Sequence, residues 1–148
     1  MMITTNNTVI NTFIEVYCQL NKDNLSLINN VYHSDIVFED PAHKVVGIEA
    51  LQDYFKALYC NINDCHFTIH QAVVEDHHAF LQWTMTFSHP KLQQGKQRTL
   101  DGCTQLTIDI EQQRIIYHRD FFDLGAMLYE GLPVLGRVIK LIKVRLGQ

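Results

Sequence analysis

Residues 79–89, AFLQWTMTFSH, put Leu81, Trp83, Met85 and Phe87 on one side of an extended chain and Gln82, Thr84, Thr86 and Ser88 on the other. Successive side chains of a strand point to opposite faces, so this alternation reads as a strand with one face in an apolar core. The period of two continues on either side. Residues 65–75 (CHFTIHQAVVE), 98–110 (RTLDGCTQLTIDI) and 114–122 (RIIYHRDFF) read as three further strands. HPKLQQGK (89–96) links two of them with Pro90 and Gly95 as punctuation, and Glu111-Gln112-Gln113 makes a tight polar turn. Such short connections favour an antiparallel meander. In the last strand Ile116, His118, Asp120 and Phe122 share one face, and Ile115, Tyr117, Arg119 and Phe121 the other. Both faces are largely apolar, which predicts cover on both sides and pairing of two copies through the sheet.

Upstream the period is helical. In residues 8–20 Val9, Ile10, Phe13, Val16, Tyr17 and Leu20 recur near every third or fourth place, and Asn7-Thr8 can cap the start. Asn24 is expected to cap a short second helix holding Leu25, Ile28, Val31 and Tyr32. Asp35 to Asp40 reads as a short strand ended by Pro41, which has no N–H for a ladder. Gly47 introduces a third helix, about 48–59, with Leu51, Tyr54, Phe55 and Leu58 on one face. The class is therefore α+β: helices packed on a curved antiparallel sheet, with an apolar pocket between them.

Composition narrows the function. With 148 residues, 47% hydrophobic and 19% charged, the chain is globular and long enough for a core. A net charge of −4 argues against general nucleic-acid binding, which needs a concentrated basic surface. No apolar run reaches the roughly 18 residues of a membrane span, and Met-Met-Ile-Thr-Thr-Asn-Asn does not read as a secretion signal, so the expected location is the cytoplasm. There Cys18, Cys60, Cys65 and Cys103, at no zinc or redox spacing, read as small core residues.

The order helix, helix, short strand, helix, four long strands resembles the nuclear transport factor 2 superfamily, the cone-shaped, cystatin-like fold of ketosteroid isomerase, limonene-epoxide hydrolase and the SnoaL-type polyketide cyclases. Val37-Phe-Glu-Asp-Pro41, followed by Gly47 before a helix, is similar to the isomerase segment that holds its proton-transferring aspartate. His118-Arg-Asp-Phe-Phe-Asp123 is similar to the hydrolase strand that holds one of its catalytic carboxylates. The resemblance implies one SnoaL-like domain over 1–148, with a core of about 5–124 and a C-terminal helical extension over 125–148.

Residue by residue the resemblance implies Asp40 as base and Asp120, or His118 beside it, as acid, with no cofactor and no metal. It also implies departures. The isomerase tyrosine position falls on about Val16, leaving Tyr17 turned about 100° away on a helix, and the isomerase acid position falls near Thr104 or Leu106. The hydrolase arginine and aspartate align with Trp83 and Met85, and its tyrosine and asparagine with Phe38 and Asp40. Asp40 can equally cap a turn before Pro41, and Asp120 can pair with Arg119, Arg98 or a backbone amide. Tyr17, Phe38, Phe55, Trp83, Met85, Phe87 and Phe122 are the expected walls of a pocket for a mostly apolar small molecule. For any one of them ordinary core packing is the alternative. His66 and His70 share a strand face but lie about 13 Å apart, too far to share an ion.

At the C-terminus, Asp123 is expected to cap a short helix over 125–130, with Gly131 ending it and Pro133 starting another. In 133–146 Leu135, Val138, Ile139, Ile142 and Leu146 form an apolar face, with Arg137, Lys140 and Lys143 opposite and Arg145 at the boundary. A basic amphipathic helix of this kind can lie on an anionic membrane, close over the pocket, or dock on its own domain or a partner subunit. The last is the expectation here. The sequence thus leads to a SnoaL-like small-molecule protein, a homodimer that is an isomerase, cyclase or hydrolase by acid–base chemistry, or else a non-catalytic binding or dimerisation module of the same fold, or a membrane-peripheral interaction protein acting through the basic C-terminal helix.

Overall fold

Helix α1, Thr8–Gln19, starts as its sequence requires: the Asn7 side chain accepts the Ile10 N–H at 3.1 Å. The computed structural model describes residues 2–62, 64–91, 93–128 and 135–147. A single 3₁₀ segment, Leu25–Asn30, comes after α1, without the side-chain cap expected of Asn24, whose oxygen instead accepts the Asn21 N–H. Tyr32, expected in that helix, begins strand β1 (Tyr32–Glu39). A turn leads into a short strand, β2 (Lys44–Val46), which alternation over three residues could not reveal. Gly47 then opens helix α2 (Ile48–Cys60) at φ +92°, a conformation that only glycine adopts without strain. Leu51, Phe55 and Tyr59 are the buried residues of α2, so its last residue, Cys60, turns outward and is exposed rather than core.

The long strands are β3 (Asp64–Glu75), β4 (His78–Ser88), β5 (Gln97–Asp109) and β6 (Arg114–Phe122). They form an open sheet in the order β2-β1-β6-β5-β4-β3. The meander β3–β6 is antiparallel as expected, but β1 pairs with β6 in parallel, so the sheet is mixed. Alternation records which residues share a face and carries no direction, which is why this pairing is not legible in it.

Two bulges shape the meander, and the β1–β6 register also slips, between Tyr32 and Val37. The β3–β4 register slips between Ile69 and Gln71, and the β5–β6 register slips between Thr107 and Ile108. An extra residue bends its strand and reverses the facing of the residues beyond it. Ile69 is buried on one side of the His70 bulge, and the partly buried places beyond it are Ala72 and Val74. Across the Ile116 bulge, Ile115 and His118 both turn inward, at 0% and 1% exposure. Ile115 thus joins the His118 face, not the Tyr117 face that unbroken alternation assigns. On the opposite face Val73, Phe80 and Phe121 are exposed, so among the described residues none supplies the cover expected on the second side of β6.

The core lies between α1, the 3₁₀ segment, α2 and the inner sheet face, with Ile10, Ile28, Ile36, Leu51, Leu81, Leu106 and Ile115 at 0% exposure. Gly102 on β5 faces Trp83 on β4. A Cβ there would stand 2.2 Å from Trp83 Cη2, inside any real contact, so the indole lies where only glycine permits.

Beyond β6 come α3 (Leu124–Leu128) and α4 (Leu135–Leu146). The expected stop at Gly131 and restart at Pro133 lie outside the described residues. Ile139 Cγ2 and Lys143 Cε stand 3.3 and 3.8 Å from where a Cβ on Gly125 would be, which seats one side of α4 against α3. Val138, Leu141, Ile142, Val144 and Leu146 remain exposed, so the described residues of this chain leave most of the helix uncovered. No described helix is long and apolar enough to cross a membrane.

The Gly102–Trp83 contact has a direct consequence. Gly102→Ala forces the indole from its place and is expected to lower stability by about 1–3 kcal/mol, the usual range for overpacking. Urea unfolding followed by Trp83 fluorescence measures it, and an unchanged midpoint with an unchanged emission maximum would show that the contact is not limiting.

Candidate functional site

Aromatic side chains on α1, α2 and the inner sheet face leave a cavity of about 170 Å³ unfilled. That is close to the roughly 150 Å³ in which an apolar cavity takes a single benzene ring. Tyr17 comes from α1, Phe38 from β1, Tyr54, Phe55 and Tyr59 from α2, Phe67 from β3, Trp83 and Met85 from β4, and Phe122 from β6. Leu124 and Met127 bring α3 to the same space, and the Arg98 guanidinium holds α3 by donating to the Ala126 and Met127 carbonyls at 2.6 and 3.0 Å. Asp40 and Asp120 also line it, and no lysine or arginine does so among the described residues.

Asp120 is the end point of a buried hydrogen-bond chain. Trp83 Nε1–H, which can only donate, gives its hydrogen to Thr104 Oγ1 at 2.7 Å. Thr104 donates in turn to Asp120 Oδ1 at 2.5 Å. His118 Nε2 lies 2.7 Å from the same oxygen, and its Nδ1 lies 2.8 Å from the Tyr32 hydroxyl, itself 2.5 Å from the Tyr17 hydroxyl. Where the carboxylate is ionised and the imidazole neutral, Nε2 carries the hydrogen, Nδ1 accepts from Tyr32, and Tyr32 accepts from Tyr17. Every donor then points towards Asp120, and each polar group between Trp83 and Tyr17 is satisfied. Burial raises both Tyr17 and Tyr32 well above the ordinary phenol range, so both stay protonated as this direction requires. Two donors converge on Oδ1; among the described residues no hydrogen bond reaches Oδ2.

Asp40 is built differently. Its Oδ1 accepts the Ala42 and His43 backbone N–H groups, both at 2.7 Å, and its own N–H donates to the His43 carbonyl at 3.0 Å. This is an Asx-type turn that fixes the chain between β1 and β2. Its Oδ2 accepts from the Tyr54 hydroxyl, and His43 Nδ1 stands 3.5 Å from Oδ1. Burial and then the Asp40 hydrogen bond raise Tyr54, so its proton stays in place.

The structure brings together Asp40, Asp120, Tyr17, Phe38, Phe55, Trp83, Met85 and Phe122 around the cavity. His118 sits behind Asp120, 1% exposed and tilted against Phe38 with ring centroids 4.5 Å apart, rather than on the cavity wall. Phe87, expected as a wall, is packed in the core at 2% exposure. It stands two residues past Met85, about 7 Å further along the strand, beyond the cavity. Tyr17, expected as a wall and one helical position from the isomerase tyrosine, is the α1 hydroxyl at the site, while Val16 is core. Asp120 pairs with neither Arg119 nor Arg98. Sequence reasoning missed Tyr32, Thr104 and Tyr54 as parts of the site. An inward threonine two residues from Gly102, across from Asp120, was the available signal for Thr104. Cys65 also reaches the cavity, and burial pushes its thiol up to about 11.

Known proteins supply the frame for this geometry. No curated protein matches the chain. Among solved structures, a protein of ketosteroid isomerase-like fold from Catenulispora acidiphila, in complex with trimethylamine, superposes with a TM-score of 0.71 at 16% identity, over 86% of this chain and 94% of that one. A candidate SnoaL-like polyketide cyclase from a Jannaschia species gives 0.71 at 14% identity over 86% and 94%. TerC, co-crystallised with polyporic acid, gives 0.69 at 13% identity over 80% and 94%. At these identities the likeness is one of fold. The model of the SnoaL-like domain matches residues 12–118, from α1 to the histidine of the buried chain, and by that match the protein belongs to the SnoaL-like family.

Proposed function

We propose that this protein is a cofactor-free acid–base enzyme that takes a small, mostly apolar carbonyl compound into the aromatic cavity and moves a proton through Asp120. The observation that carries the reading is the asymmetry of that carboxylate. Oδ1 is held by Thr104 and His118, while Oδ2 keeps its lone pairs beside an apolar space. A carboxylate so fixed takes a proton from a carbon next to a carbonyl, becomes the acid, and returns the proton to another carbon or to oxygen. Asp40, with both oxygens occupied by donors, acts as the anchor of Tyr54 and of the β1–β2 turn. The complexes of two proteins of this fold with trimethylamine and with polyporic acid support a small-molecule ligand for this one.

The alternative is a binding module that holds such a ligand unchanged. Two readouts separate the readings. Cyclic ketones and β-keto esters are incubated with the protein in D₂O, and deuterium uptake is read by mass spectrometry. The enzyme reading expects uptake by the wild type, a loss of about 10²–10⁴-fold in Asp120→Asn, and a smaller loss in Asp40→Asn. Full uptake in Asp120→Asn would remove Asp120 from the chemistry.

Binding is read separately through Cys65. Its alkylation by iodoacetamide is expected to rise about tenfold per pH unit until the pH reaches about 11. A ketone in the cavity slows this reaction and leaves that of the exposed Cys60 unchanged. Protection of Cys65 without deuterium uptake from any ketone would favour the binding module.

A further inference from the structure

The cavity leaves α4 unexplained. Leu135–Leu146 reads LGRVIKLIKVRL and contains Arg137, Lys140, Lys143 and Arg145 with no acidic residue. The chain carries −4 in all and this helix alone +4, so the remaining residues carry −8. An acidic body thus ends in a helix of the opposite sign. Ile139 and Lys143, one turn apart, take the side against α3, where Lys143 pairs with Asp123. The rest of the circumference faces outward with Val138, Leu141, Ile142, Val144 and Leu146 between 47% and 82% exposed, and Arg137, Lys140 and Arg145 exposed among them.

Large apolar side chains in water cost stability unless something covers them. Here they alternate with cations along one helix, so the occupant must accept both at once. We infer that α4 docks on the surface of an anionic phospholipid bilayer. Acyl chains at the headgroup boundary take up Leu141, Ile142 and Val138, while the long stems of Arg137, Lys140 and Arg145 reach back to the phosphates. Twelve residues of helix span about 18 Å, against about 30 Å of hydrocarbon, so the helix lies in the interface and does not cross it. The −8 remainder disfavours any other part of the chain from approaching such a surface, which makes the contact directional. This inference stands apart from the chemistry of the cavity.

The test is co-sedimentation of the full chain with vesicles of phosphatidylcholine alone or of equal parts phosphatidylcholine and phosphatidylglycerol. Binding is expected to the mixed vesicles only, and to weaken when salt is raised to about 0.5 M. Arg137→Gln, Lys140→Gln and Arg145→Gln together, with Lys143 kept for Asp123, are expected to lower partitioning on the order of 100-fold. Leu141→Ser with Ile142→Ser, which keeps every charge, is expected to release the protein as well. Circular dichroism and urea unfolding check that both variants stay folded. The inference is overturned by a wild type that remains in the supernatant, by equal binding to both vesicle types, or by a charge variant that binds undiminished. A lipid-independent dimer that both variants dissolve to monomers would likewise overturn it, assigning α4 to a second copy.

Discussion

The contact of His118 Nε2 with Asp120 Oδ1, 2.7 Å long and running from a buried imidazole to a carboxylate on the cavity wall, is the interaction on which the site depends. Removing a buried donor or acceptor leaves its partner unsatisfied, at a cost of about 1–3 kcal/mol and more for a charged group. The fold meets that constraint from both directions. From one side Trp83 and Thr104 supply a hydrogen to Oδ1, and from the other Tyr17 and Tyr32 complete the imidazole. Five secondary-structure elements therefore meet on one carboxylate: α1 through Tyr17, β1 through Tyr32, β4 through Trp83, β5 through Thr104 and β6 through His118 and Asp120 itself. A partly satisfied version of this network would be worse than an apolar core, so its members hold or fail together.

The cavity exists because the same aromatic residues that close this network cannot also fill the space before it. Trp83 packs against Gly102 and bonds to Thr104, Tyr17 bonds to Tyr32, and Tyr54 bonds to Asp40. Each is held back from the centre by its polar end, and the apolar bodies become walls. This couples packing to chemistry. The hydrogen bonds that orient Asp120 also keep the room in front of it open. The Asp40 turn does the corresponding work at the other side, placing α2 and its Tyr54 relative to β1 through two backbone N–H groups.

Much of this is legible from side-chain alternation. Leu81, Trp83, Met85 and Phe87 face inward as their spacing says, and Asp40 and Asp120 come from distant parts of the chain to one cavity. The features that alternation misses have physical causes. It cannot register a bulge, so it places Ile115 on the wrong face of β6, although that residue lies three positions from His118. Parallel pairing of β1 with β6 leaves no trace in a period of two, and without it Tyr32 has no reason to meet His118. Spacing makes Tyr17 a wall but sets it one helical position from the isomerase tyrosine, and its hydroxyl nonetheless reaches Tyr32. The Asp40 turn is visible in the sequence as an alternative to catalysis, and the tie to Tyr54, fourteen residues later, is not.

The central claim is that the buried chain runs in one direction, with Asp120 as its acceptor. Nitrogen-15 NMR of the His118 side chain tests it most directly, because the two ring nitrogens differ strongly in shift according to which one carries the hydrogen. The account predicts a protonated Nε2, facing Asp120, and an unprotonated Nδ1 that accepts from Tyr32. A hydrogen on Nδ1 with a bare Nε2 would reverse the chain, make Asp120 the donor to His118, and contradict the account.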